Sequence, residues 1–148
     1  MAIHSKVKVF VHLVWSTHSR NPILNKEFKK QVKTHLIVHG KENGILIQEI
    51  NIQPEHLHLL IPIPADLSIS KIAKSLKGES SRWINENGFV QGKFRWQRGY
   101  GAFSVSASQL NIVSNYIRNQ DEHHKKNTFM DEYNHWLKRY GMEKDEND

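Results

Sequence analysis

The chain has 148 residues, 38 % of them hydrophobic, with a net charge of +6 and no cysteine. That length fits one domain with a modest core, and the absence of cysteine excludes disulfide frameworks and thiolate metal sites. No apolar run approaches the ~18 residues that cross a bilayer, and "MAIHSKVKVF" lacks the apolar stretch of a signal peptide, so a cytoplasmic protein without membrane contact is expected.

"KVKVFVHLVWST" alternates with a period of two and predicts a first strand, with Val7, Val9, Val11, Leu13 and Trp15 on one face. A helix follows from Lys26 to His39, ending near Gly40 or Gly44. "ILIQEINI" and "HLHLLIPI" read as two strands paired in a hairpin across "QPEH". "DLSISKIAKSLKGESSRWINEN" is a helix capped by Asp66 or Ser68. Its apolar stripe is Ile69, Ile72, Ala73, Leu76, Trp83 and Ile84, while Lys71, Lys74 and Arg82 fall on another face. "KFRWQRGYGAFSVS" holds a fourth strand, and "SASQLNIVSNYIRNQDEHHK" reads as one helix starting at Ser106 or Ser108. A last amphipathic stretch carries Phe129, Tyr133, Trp136, Leu137 and Tyr140. Residues 1–142 are expected to form a single domain, with 143–148 a disordered polar tail. The order of elements predicts an α+β, ferredoxin-like (RRM-like) antiparallel sheet, with helices packed on one face and an additional C-terminal helix bearing Tyr116.

The excess charge is concentrated. Between Lys71 and Arg98 there are seven basic residues (Lys71, Lys74, Lys77, Arg82, Lys93, Arg95, Arg98) against Glu79 and Glu86. Trp83, Phe89, Phe94 and Trp96 lie among them. Cations and rings interleaved in this way suit a nucleic-acid strand. A solvated helix face followed by a core hairpin produces the same pattern.

Within "NIQPEHLHLLIPIP" two imidazoles share a face. Leu57, Leu59 and Ile61 point one way along the strand; His56, His58 and Leu60 point the other. Residues two apart lie ~7 Å from each other along a strand, so both rings can converge on one cation. A lone histidine on a strand is usually a hydrogen-bonded core residue, but a pair needs two buried partners. Histidine-triad hydrolases need a third alternating histidine where this chain has Leu60. Two-histidine phosphoesterases need a second His-x-Ser/Thr motif, and none occurs at a matching position. A structural zinc would want four ligands; two imidazoles leave room for a substrate oxygen. Further along, Leu110, Val113 and Ile117 form a helical core stripe, and Ile112, Tyr116 and Gln120 form a second line with His123 nearby. Taken singly, a helical tyrosine is a packing residue with a wet hydroxyl, and His123 and His124 suit the negative end of a helix.

Together "PEHLHLLIPIP", "SISKIAKSLKGESSRW", "WQRGYGAFSVS" and "YIRNQDEHH", in that order and after "VHLVWST", resemble the single-tyrosine transposases of bacterial insertion sequences, including those tied to repetitive extragenic palindromes. These are HUH endonucleases, named for histidine–hydrophobic–histidine. The resemblance implies that His56, His58 and Gln120 bind a divalent metal, Mg2+ or Mn2+, and that Tyr116 attacks a phosphodiester to form a 5′-phosphotyrosine. It implies single-stranded DNA with hairpin-bearing element ends as the substrate, and a homodimer in which the tyrosine helix serves its own or the other subunit's site. Lys71, Lys74, Lys77, Arg82 and Arg98 are the expected DNA contacts; Trp96 and Tyr100 either stack on bases or pack. The glycines of "RGYGAF" are a candidate hinge for the tyrosine helix. Glu55 stands where the family more often has aspartate. Competing readings are a replication initiator or relaxase, a non-catalytic single-strand-binding module, and a hydrolase that releases its product to water.

Overall fold

The computed structural model describes residues 6–142. Its elements are β1 (Phe10–Ser16), α1 (Lys26–Glu42), β2 (Glu49–Ile52), β3 (His56–Pro62), α2 (Ile69–Asn87), β4 (Gly101–Val105), α3 (Leu110–Arg118), α4 (Gln120–Lys126) and α5 (Phe129–Arg139). The sheet order is β2-β3-β1-β4, every neighbouring pair being antiparallel. This is the ferredoxin-like arrangement read from the order of elements. The tail 143–148 lies outside the described residues. Among the described residues, no helix is long and apolar enough to cross a membrane.

Alternation on β3 and β1 divides the molecule into two layers. Val11, Leu13, Trp15, Leu57, Leu59 and Ile61 face α1 and α2, where they meet Phe28, Val32, Leu36, Ile72, Leu76 and Ile84. Each fully buried aliphatic side chain is worth about 1.5–3 kcal/mol, so this layer fixes the register. A one-residue slip would send the leucines outward and the histidines into the core. The opposite face is covered as well: Phe10, Leu60 and Val105 pack on Ile117 of α3, and Val14 and Phe103 pack on Phe129 of α5.

Several boundaries differ from expectation. Val7 and Val9 precede β1 and are exposed, about half of each in solvent. Asn25 caps α1 by accepting from the backbone N–H groups of Glu27 and Phe28, and the helix runs past Gly40 to end before Gly44, whose φ is +74°. Gly40 serves a different purpose: a Cβ there would stand 2.7 Å from the Ile45 carbonyl, where the chain folds back on the helix. Of the two candidate caps for α2, Ser68 accepts from Lys71 N–H. The single helix expected after β4 is two, because Asn119 leaves helical geometry (φ −98°, ψ 22°) between α3 and α4. Of the two glycines in the candidate hinge, Gly99 lies in the loop before β4 with φ +87°. Gly101 is a strand residue opposite Val14, and a Cβ on it would meet the Tyr133 ring at 2.8 Å. Its lack of a side chain lets α5 lie close on the sheet.

Candidate active site

The face of the sheet under α3, α4 and α5 holds His12, His56 and His58, with His56 and His58 wholly buried. The His56 and His58 ring centroids are 4.9 Å apart. Each ring has a partner on its Nδ1 side: Glu55 Oε1 lies 2.8 Å from His56 Nδ1, and His12 Nε2 lies 2.9 Å from His58 Nδ1. Because a carboxylate accepts, His56 donates its Nδ1–H to Glu55, whereas in the His12–His58 pair either ring can be the donor. Among the described residues, six of the seven buried side-chain N or O atoms without a hydrogen-bond partner belong to His56 (Nε2), His58 (Nε2), Gln120 (Nε2, Oε1) and Glu132 (Oε1, Oε2). Each such orphan costs about 1–3 kcal/mol. One ligand atom each from His56, His58 and Glu132 lies within 4.8 Å of the others. Imidazole nitrogens and carboxylate or amide oxygens suit a divalent cation, and binding one would satisfy the acceptor atoms of this set, leaving the Gln120 Nε2 donor aside.

Tyr116 stands beside this group in its own chain, its ring 6.1 Å from that of His58 and stacked on His123 at 4.6 Å. The helix bearing it is docked firmly. Glu49 of β2 accepts from Ser114 Oγ at 2.8 Å and from Arg118, and Gln53 donates to Asp121 of α4 at 2.7 Å. Burial pushes the phenol above its ordinary value of 10; the Gln120 amide pulls it down and Glu132 pushes it further up. Gln120 and Glu132 thus act on the hydroxyl without a hydrogen bond of normal geometry. Gln120 also acts on His58, so the amide sits between the two. A cleft of about 690 Å³ opens onto Tyr116, His12, His123, Glu132 and Trp136.

The sequence profile of IS200-like transposases matches residues 5–120. The chain belongs to the IS200-like transposase family. As a transposase it is a DNA-processing enzyme. It is 26 % identical to the ISDra2 transposase TnpA of Deinococcus radiodurans over 75 % of this chain and 83 % of that one. It is 28 % identical to the transposase of insertion sequence IS200 from Salmonella typhimurium, over 82 % of this chain and 83 % of that one. A Deinococcus radiodurans crystal structure, solved as that of a candidate transposase, superposes with a TM-score of 0.65 and 26 % identity, covering 81 % of this chain and 96 % of that one. A REP-associated tyrosine transposase bound to a REP hairpin shares the fold, with a TM-score of 0.61 and 15 % identity over 84 % of this chain and 74 % of that one.

In this transposase the structure brings together His56, His58, Tyr116 and Gln120 but not the expected DNA contacts. Lys71, Lys74, Lys77 and Arg82 belong to α2, on the other side of the sheet. Lys77 donates to the carbonyls of Gln97 (2.8 Å) and Gly99 (2.7 Å), and Arg82 pairs with Glu79 and Glu86. Lys71 and Lys74 are exposed on the outer side of α2. Arg98 is exposed too, beside Arg20, Tyr100 and Phe129. Trp96 packs: it is buried against Trp15 and Phe94, with its Nε1 donating to Ser80 Oγ at 2.9 Å.

Three residues of the site were not singled out in the sequence as its components. His12 alternates with Phe10 and Val14 on the side of β1 away from the Val11–Leu13 stripe, the one polar side chain among them. Glu132 interrupts the apolar stripe of α5, between Phe129 and Trp136. Glu55, left without a role, holds His56 and also lies 3.1 Å from His124 Nε2. Burial pushes the Glu55 carboxyl up, but His56 and His124 outweigh it and leave it below its ordinary value. A carboxylate behind a ligand histidine fixes the tautomer and raises basicity. Glu55→Gln is therefore expected to weaken Mn2+ binding by roughly 10-fold or more, as read by isothermal titration; unchanged affinity would remove Glu55 from that role.

Burial drives His12 down from 6.5 to about 3; burial, with the neighbouring His12 and His56, drives His58 down as well. Both folded values lie below the unfolded one, so the unfolded chain binds more protons in between and stability falls as pH drops below 6.5. At about 1.4 kcal/mol per pH unit, the metal-free protein is expected to be about 2 kcal/mol less stable to urea at pH 5 than at pH 7.5 from His12 alone. A flat profile over that range would contradict the buried neutral pair.

Proposed function

We propose that this transposase cleaves and rejoins single-stranded DNA at the ends of its insertion sequence through a covalent 5′-phosphotyrosine on Tyr116, with a divalent cation, Mg2+ or Mn2+, at His56, His58 and Gln120. The observation that carries this reading is the set of buried, unpartnered atoms on those three residues, next to a tyrosine of the same chain. When bound there, such a cation supplies Lewis-acid polarisation of the scissile phosphate. The Tyr116 oxygen forms a bond to phosphorus as the bond to the 3′ oxygen breaks, and the phenol proton leaves the site while the departing oxygen becomes a 3′-hydroxyl. A later attack by a 3′-hydroxyl reverses the exchange, so the phosphodiester is conserved and joining needs no nucleotide cofactor. Tyr116, raised by burial, is a weak nucleophile without that field.

The cleft beside Tyr116 is the path for the strand. The hairpin on the REP-associated transposase of like fold supports a hairpin-bearing single strand as the substrate. Each protomer of the expected homodimer would hold a full residue set, since Tyr116 lies against its own histidines. The test is to incubate the protein and Mn2+ with single-stranded DNA from the flanks of its gene, labelled at the 3′ end. Label should migrate with the protein on a denaturing gel and vanish with chelator. Cut DNA without protein-bound label would indicate a hydrolase, and a native-gel shift without cutting a binding module.

A further inference from the structure

The profile match ends at residue 120, and α5 lies beyond it. Thr128 and Asp131 start this helix with a reciprocal capping box, which places Glu132 in the first turn. Spacings of three and four put Phe129, Glu132 and Trp136 on one face. That face covers the histidines: Phe129 stacks on His56 at 4.4 Å, and Trp136 meets His12 edge-on at 4.7 Å and His58 at 5.4 Å. Between these rings the Glu132 side chain is 9 % exposed, and both its carboxylate oxygens are buried without a partner. A buried carboxyl group whose two oxygens lack a hydrogen-bond partner is costly unless something compensates it. The available compensation is on the same spot, since Glu132 and the two histidines offer ligand atoms all within 4.8 Å of one another.

We propose that Glu132 is a ligand of the divalent cation, so that the cation fastens α5 across the site. This rests on the metal reading above and adds to it a carboxylate from outside the segment matched by the family. A carboxylate adds a hard anionic oxygen to two imidazoles and an amide, which favours Mg2+ and Mn2+. It also makes α5 a helix whose docking depends on the metal.

The test titrates Mn2+ into wild type, Glu132→Gln, Glu132→Asp and His58→Ala, following free Mn2+ by electron paramagnetic resonance, with hydrogen exchange of α5 amides measured with and without the ion. Wild type should bind, and Glu132→Gln should bind at least tenfold more weakly. Glu132→Asp, with the charge kept and the reach shortened, should fall between them. Mn2+ should slow exchange across 129–139 in wild type and not in Glu132→Gln. The metal-free melting temperature of Glu132→Gln should be unchanged or higher, because neither carboxylate oxygen has a hydrogen bond to lose; a fall would mark Glu132 as a structural anchor and overturn the proposal. Equal affinity of wild type and Glu132→Gln, with His58→Ala not binding, would overturn this inference and leave the metal reading standing. Failure of wild type to bind Mn2+ at all would end both.

Discussion

Tyr116→Phe is expected to erase the covalent DNA–protein species while leaving the fold intact. The change removes one oxygen atom, and that oxygen makes no hydrogen bond of normal geometry within the chain. The ring contacts with His12, His58, His123 and Trp136 remain. Stability should therefore change by no more than about 1 kcal/mol. Loss of a nucleophile, by contrast, lowers turnover on the order of 10⁴-fold or more. Mn2+ binding should persist, because the phenol is not among the proposed ligands. A Tyr116→Phe protein that still trapped labelled DNA would place the covalent chemistry on another side chain.

His58→Ala carries the second large effect, and it acts on two levels. It removes one of the two proposed imidazole ligands, so Mn2+ affinity should fall by more than the roughly 10–100-fold that loss of a supporting partner costs. Cleavage should fall with it. It also leaves His12 Nε2 buried without its bond to His58, at about 1–3 kcal/mol, and opens a cavity under Trp136. A lower melting temperature is thus expected alongside the loss of binding. His56→Ala separates the two, since Glu55 keeps His124 as a partner. Cleavage at wild-type rates by either variant, once refolded, would contradict the metal site.

The sheet was legible because β3 and β1 are strict alternators. Leu57, Leu59 and Ile61 had to face one way and His56 and His58 the other, and the antiparallel register carried this across to β1. The pair of histidines was visible for the same reason. What supports it was not, because each support comes from a different element: Glu55 from the turn before β3, His12 from β1 and Glu132 from α5. Spacing within one segment says nothing of these meetings. The break at Asn119 was hidden because a single residue leaves helical geometry and the polar run that follows, "QDEHHKK", carries no apolar period to mark a second helix. The expectation of DNA contacts on α2 followed its charge, and Lys71 and Lys74 do stand exposed there, away from the histidines. The structure ties Lys77 to loop carbonyls and Arg82 to two glutamates, uses that net composition does not distinguish from binding.

The most direct measurement is the site of the adduct. After incubation with Mn2+ and flanking single-stranded DNA, nuclease and trypsin digestion should leave a nucleotide phosphate on the peptide 99–118. Fragment ions should assign it to Tyr116 rather than to Tyr100, which lies on the same peptide. A modification at Tyr100, Tyr133 or Tyr140, or DNA cut to free ends with no modified tyrosine, would contradict the account.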